Sequence, residues 1–163
     1  MSKKDQYKIS VPSGDEFAKS VPKMFWGTGN PNSDIYLSSI KEHLEREGCR
    51  DVKTLKYANW CVIGSKLDWI QSGLVNGKSE SDLFNKMFRF TDSDGAIGVR
   101  VEYLIKVYTD HVALWRNNSL NQIKGNIDDG LIEFLKENYT DYVTLAFKVD
   151  IGVRYCLKNL LIF

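Results

Sequence analysis

The chain has 163 residues, 43% hydrophobic and 26% charged, with 22 basic against 21 acidic side chains. That length fits one globular domain able to bury a single core, and the composition excludes a disordered or fibrous chain. Balanced charge leaves no basic stripe to displace counterions from a phosphate backbone, so nucleic acid is not supported as a partner.

The opening MSKKDQYKISVPSGDEF carries lysines but no apolar run behind them, and nothing in the chain approaches the ~20 apolar residues of a membrane-spanning helix. Neither a secretory leader nor a membrane partner is expected, and a cytoplasmic location is. Cys49, Cys61 and Cys156 are odd in number and include no C-x-x-C pair, which fits reduced thiols. All of Pro12, Pro22 and Pro31 fall within residues 1–32, marking this as the least regular part of a single domain spanning 1–163. A short helix is expected over Asp15–Ser20, stopped before Pro22.

From Ser33 the pattern is helical. Tyr36, Ile40 and Leu44 form one stripe, Asn32 or Ser33 can cap the start, and Gly48 closes the end. Asp51–Ile63 is rich in β-branched and aromatic residues and reads as an interior strand. Ser81–Phe90 sets Leu83, Phe84, Met87 and Phe88 on a helical face. Ile97–Tyr108 alternates, with Arg100, Glu102 and Lys106 opposite the apolar set, and reads as a half-buried strand. Thr109–His111 reads as a hairpin loop into a strand at Val112–Arg116. The polar tract Arg116–Gly125 then leads to a helix capped by Asn126, with Ile127, Leu131, Leu135 and Tyr139 along its buried stripe. Val143, Leu145, Phe147, Val149 and Ile151 alternate as a strand, and Gly152 marks a turn before a last strand from Val153 towards Phe163. The class is α+β: a mixed or mainly antiparallel sheet of about five strands, with roughly three to four helices packed mostly on one side.

Motifs with chemical meaning are few. Gly73–Ser79 comes within one residue of a phosphate-binding G-x-x-x-x-G-K-[ST] loop, but the missing residue changes which amides converge, and Asn76-Gly77 with a serine-capped helix explains the stretch as a turn. Asp92 and Asp94 resemble part of a calcium loop, yet aligning Gly95 as the sixth residue puts Phe90 first and Val101 twelfth, where neither binds metal. No G-x-S-x-G elbow is present. Cys61 reads as core. Of the two histidines, His43 reads as solvent-exposed among Glu42, Glu45 and Glu47, and His111 as a turn residue. No cofactor and no metal is expected.

The loop with more promise is Gly27-Thr28-Gly29-Asn30-Pro31-Asn32, which follows Met24-Phe25-Trp26 and enters a well-capped helix whose amides can receive an anion. The candidate binding residues are Trp26, Gly27, Thr28, Gly29, Asn30 and Asn32. Trp69, Trp115 and Arg116 join them, the two tryptophans expected to be partly exposed because their neighbourhoods are less apolar. With no catalytic constellation assembled, the reading leans away from an enzyme. It expects a cytoplasmic protein that binds another protein stoichiometrically, as an inhibitor, immunity factor or adaptor does. The alternatives are an enzyme or small-ligand domain using the Trp26–Asp34 loop, with a small anionic ligand, and a nucleic-acid binder using a sheet face with Arg100, Lys106 and Arg116.

Overall fold

A computed structural model describes residues 11–72, 79–90 and 97–149. The described elements are α1 (Gly14–Ser20), α2 (Pro22–Trp26), α3 (Ser33–Arg46), β1 (Lys53–Tyr57), β2 (Trp60–Ser65), α4 (Trp69–Ser72), α5 (Glu80–Asn85), β3 (Phe88–Phe90), β4 (Ile97–Val99), α6 (Val101–Tyr108), β5 (His111–Arg116), β6 (Ser119–Lys124), α7 (Asp129–Asn138) and β7 (Val143–Lys148). The glycine-lysine stretch at 73–78, the Asp92/Asp94 turn and the expected last strand from Val153 lie outside the described residues.

The main sheet has the order β1-β2-β7-β5-β6, and every neighbouring pair is antiparallel. This is the α+β architecture expected. Its centre is filled by β7, which enters between two hairpins made earlier in the chain. Because side chains alternate along each strand, the sheet separates two cores. Cys61 and Ile63 of β2, Val112 and Leu114 of β5, and Val143, Leu145 and Phe147 of β7 face one core, together with residues of α1 to α6. On the other face Trp60, Val62, Ala113, Trp115 and Ala146 meet Leu131, Leu135 and Tyr139 from α7 and its end. Among the described residues, helices therefore crowd one side, and α7 alone covers the second.

Tryptophan and tyrosine polar atoms tie the layers together. Trp60 Nε1 donates to Asp128 Oδ2 at 2.9 Å and so holds the residue that precedes α7. Trp115 Nε1 donates to the Tyr139 carbonyl at 2.9 Å, at the far end of the same helix. On the opposite face Tyr103 of α6 donates to Asp15 Oδ1 at 2.7 Å, and Tyr108 donates to the Ala18 carbonyl, pinning α1 against α6. Buried indole and phenol groups need such partners, since each left unsatisfied costs roughly 1–3 kcal/mol.

Several elements differ from the sequence expectation. Asp51–Ile63 is a hairpin, not one strand: β1 turns at Ala58-Asn59, with Ala58 at φ 48°, and pairs Tyr57 with Trp60. Leu55 and Tyr57 consequently pack in the same core as Trp60 and Val62. The helix expected over Ser81–Phe90 starts one residue earlier and ends at Asn85; Phe88–Phe90 is a strand paired with β4. Ile97–Tyr108 is only a strand through Val99 and is then the helix α6, buried on almost every side, including Arg100 at 6% exposure before it and Glu102 at 4% within it. What precedes β5 is thus a helix, not the other arm of a hairpin. Most of the polar tract Arg116–Gly125 is the edge strand β6, reached through Asn117 and Asn118 with φ of 53° and 54°, a turn that suits asparagine. The helix beyond it is preceded by Asp128, not capped at Asn126. Gly125 is required where that edge ends: its φ is 69°, and a Cβ would lie 2.4 Å from both the Asp110 carbonyl and His111 Nδ1.

Candidate functional site

The residues singled out from the sequence do not form one site. Trp26 closes α2 at 7% exposure, its ring edge-on to Tyr36 and Tyr108 at 4.7 and 5.6 Å. Gly27 follows in the left-handed conformation at φ 71°, donating its N–H to the Lys23 carbonyl and ending the helix. The Thr28 hydroxyl accepts from the Asn30 N–H at 3.3 Å, while Gly29 and Asn30 are exposed. Asn32 caps α3, its Oδ1 accepting from the amides of Asp34 and Ile35, both at 3.1 Å. Those amides are the ones an anion would have used, and the Asp34 carboxylate at the same end pairs with Lys56 at 3.0 Å. The loop is a well-made helix entry, with its first-turn donors already engaged.

Trp69 and Trp115 are not exposed: 2% and 1% of their surfaces are accessible, and they belong to different cores on opposite sides of the sheet. The less apolar neighbourhoods that suggested exposure are strand-end and helix-start residues flanking an inward-pointing indole. Arg116 is engaged within the chain. Its Nε and Nη2 donate to Asp68 Oδ2 at 2.9 and 2.6 Å, Nη2 also reaches Gln71 at 2.8 Å, and Nη1 pairs with Glu80. The Asp68 carboxylate, first among these contacts, raises the guanidinium further above its ordinary range. Both flanks of the 73–78 stretch, α4 and α5, thereby converge on one arginine. Arg100, Lys106 and Arg116 share no sheet face, since Arg100 is buried ahead of α6, Lys106 lies within that helix, and only Arg116 is on the sheet.

His111 holds a loop: its Nδ1 accepts from the Asn126 N–H at 2.9 Å, ahead of α7. Cys61 is core: burial raises its thiol pKa, opposite to what a nucleophile needs. Among the described residues no helix is long and apolar enough to cross a membrane, and no group of three or more His, Cys, Asp and Glu side chains is placed to hold a metal ion.

Polar and apolar side chains converge instead in a concavity of about 310 Å³ beside the sequence-predicted loop, between α2, α3 and the β4–α6 junction. One wall is apolar, made by Phe25, Trp26, Val99, Val101 and Leu104, with Met24 at the edge. The other is the flank of α3, where Ser39, Glu42, His43 and Arg46 recur at helical spacing beside the buried stripe, His43 at its margin. His43 was expected in solvent, yet its side chain is 12% exposed, and its Nε2 lies 3.3 Å from Glu102 Oε1 on α6. It also meets Trp69 edge-on at 6.4 Å. The buried carboxylate fixes the ring, as a positioned histidine requires. Among the described residues Glu102 Oε2 and Trp26 Nε1 have no hydrogen-bond partner, and Ser39 makes no bond to His43, so no activated nucleophile is assembled.

The signal for His43 was present in the sequence, because position 43 lies three after Ile40 and seven after Tyr36 and so shares the buried stripe. Its glutamate neighbours outweighed that spacing. Glu102 carried no such signal, since its segment was read as a strand with that residue facing out.

Comparison of the chain with models of protein families, with curated proteins and with solved structures finds no match.

Proposed function

We propose that this is a cytoplasmic protein acting by stoichiometric binding of another protein, in the manner of an inhibitor, immunity factor or adaptor. The observation that supports the reading is an apolar ridge on the first two helices: Met24 is 70% and Phe17 39% exposed, and Phe17 meets the half-buried Phe25 edge-on at 6.4 Å. Single exposed apolar residues are ordinary, whereas adjacent ones beside a concavity are a feature of partner-binding surfaces. The ridge sits on two short helices fixed from behind by Tyr103 and Tyr108, so it is presented on a rigid base. Little ordering cost then opposes association.

The test is size-exclusion chromatography with crosslinking, using the purified chain mixed with an extract of its source cells. A stoichiometric complex is expected, lost in the double variant Phe17→Asp, Met24→Asp at unchanged melting temperature. Absence of any complex, or a complex that survives the double variant, overturns the assignment.

A further inference from the structure

We infer that the concavity between α2, α3 and α6 is a binding site for a small zwitterion with an apolar side chain, of the α-amino acid class. Two observations carry this beyond the partner-binding reading. Glu42 and Arg46 stand one helical turn apart on the polar wall, the spacing at which opposite charges pair on a helix, yet they do not pair with each other. Arg46 directs its Nε to the Glu42 carbonyl at 3.3 Å. Among the described residues the Glu42 carboxylate and the terminal nitrogens of Arg46 have no other partner, so one anionic and one cationic group line the solvent-facing side of the concavity one turn apart.

The second observation is what faces them. Phe25, Trp26, Val101 and Leu104 form an apolar wall across the same cavity. Its volume of about 310 Å³ lies at the small end of the range for ligand pockets, suiting one side chain and not a large cofactor. A ligand carrying an ammonium towards Glu42, a carboxylate towards Arg46 and an apolar group against Trp26 and Leu104 uses each feature once. An anion alone would meet Glu42, and a cation alone would meet Arg46, so neither single charge fits as well. His43, fixed by Glu102, adds a positioned imidazole, and Ser39 a hydroxyl.

The inference is independent of any protein partner and is tested on the isolated full chain. Nuclear magnetic resonance titrations would follow the Trp26 indole and the Val101 and Leu104 methyls with L-leucine, L-methionine and L-phenylalanine. The single-charge analogues 3-phenylpropanoate and phenethylamine serve as comparators. Saturable shifts are expected, with L-phenylalanine binding about tenfold or more tightly than either analogue. Glu42→Gln is expected to weaken L-phenylalanine, whose ammonium loses its partner, and to strengthen 3-phenylpropanoate, whose carboxylate no longer meets a like charge; Arg46→Gln is expected to weaken L-phenylalanine and strengthen phenethylamine for the converse reason. Both positions are exposed, so the variants keep the fold, which their melting temperatures check. No saturable shift with any of the amino acids, equal binding of a single-charge analogue, or indifference to both substitutions overturns the inference.

Discussion

Arg116→Met removes the guanidinium that joins β5 to α4 and α5 while keeping most of the aliphatic stem. The arginine side chain is 18% exposed and its carboxylate partners Asp68 and Glu80 are 35% and 27% exposed, so the pairs are neither solvated nor fully buried. Exposed pairs contribute about 0.2–1 kcal/mol and breaking a buried one costs about 3–5 kcal/mol. An intermediate value of about 2 kcal/mol is expected, equivalent to a fall in melting temperature of about 4–8 °C for a chain of this size. Thermal denaturation followed by circular dichroism measures it, and the loss should shrink in high salt as the pairs are screened. Arg116→Lys should recover less than half, because an ammonium cannot supply two parallel donors to Asp68. A double-mutant cycle with Asp68→Asn should give a coupling of about 1 kcal/mol or more. If Arg116→Met changes stability by no more than the about 0.5 kcal/mol typical of surface substitutions, the arginine is not a clamp. It would then be free to serve a partner, as its place among the sequence-predicted contacts suggested.

Ala58→Gly should stabilise the chain by about 0.5–1 kcal/mol, since alanine at φ 48° carries a left-handed penalty of about 1–2 kcal/mol that glycine avoids at some entropic cost. A melting temperature lower than that of the parent chain would refute the strained-turn assignment. Burial holds the phenols of Tyr139 and Tyr103 protonated well above their ordinary range, and at Tyr103 the Asp15 carboxylate adds to the effect. Because the raised groups favour the protonated folded state, their contribution is complete below about pH 10 and is lost as pH rises above it. Phenolate absorbance of the two tyrosines, isolated by difference against their phenylalanine variants, should therefore appear together with loss of near-ultraviolet circular dichroism. Ionisation near the ordinary pH with the fold intact would contradict the buried placement.

Sequence alone determined the elements whose pattern is one-sided. In α3 the Tyr36, Ile40 and Leu44 stripe faces a core and its other side faces water, so period and caps are both visible; the buried stripe of α7 follows from Leu131, Leu135 and Tyr139; β7 is buried on both faces and is legible because large Val143, Leu145 and Phe147 alternate with smaller Thr144 and Ala146. The α+β class followed from these. Where an element is enclosed all round, the signal vanishes. The segment of α6 has apolar residues at both period two and period 3.6, and only its position between α1, α3 and α5 makes it a helix; Arg100 and Glu102, polar but buried, gave the false appearance of a solvent face. The β1–β2 hairpin was hidden for a related reason, because its turn uses Ala58 in place of glycine and β2 is buried on both sides. The candidate site depended on that same hidden helix. Ser39, Glu42, His43 and Arg46 share a helical stripe in the sequence, but Val99, Val101 and Leu104 in the wall opposite them, and the carboxylate of Glu102 that fixes His43, come from residues about 60 positions away whose direction only the packed structure decides. Local periodicity reports which face of an element is apolar, and contacts between distant segments report what that face meets.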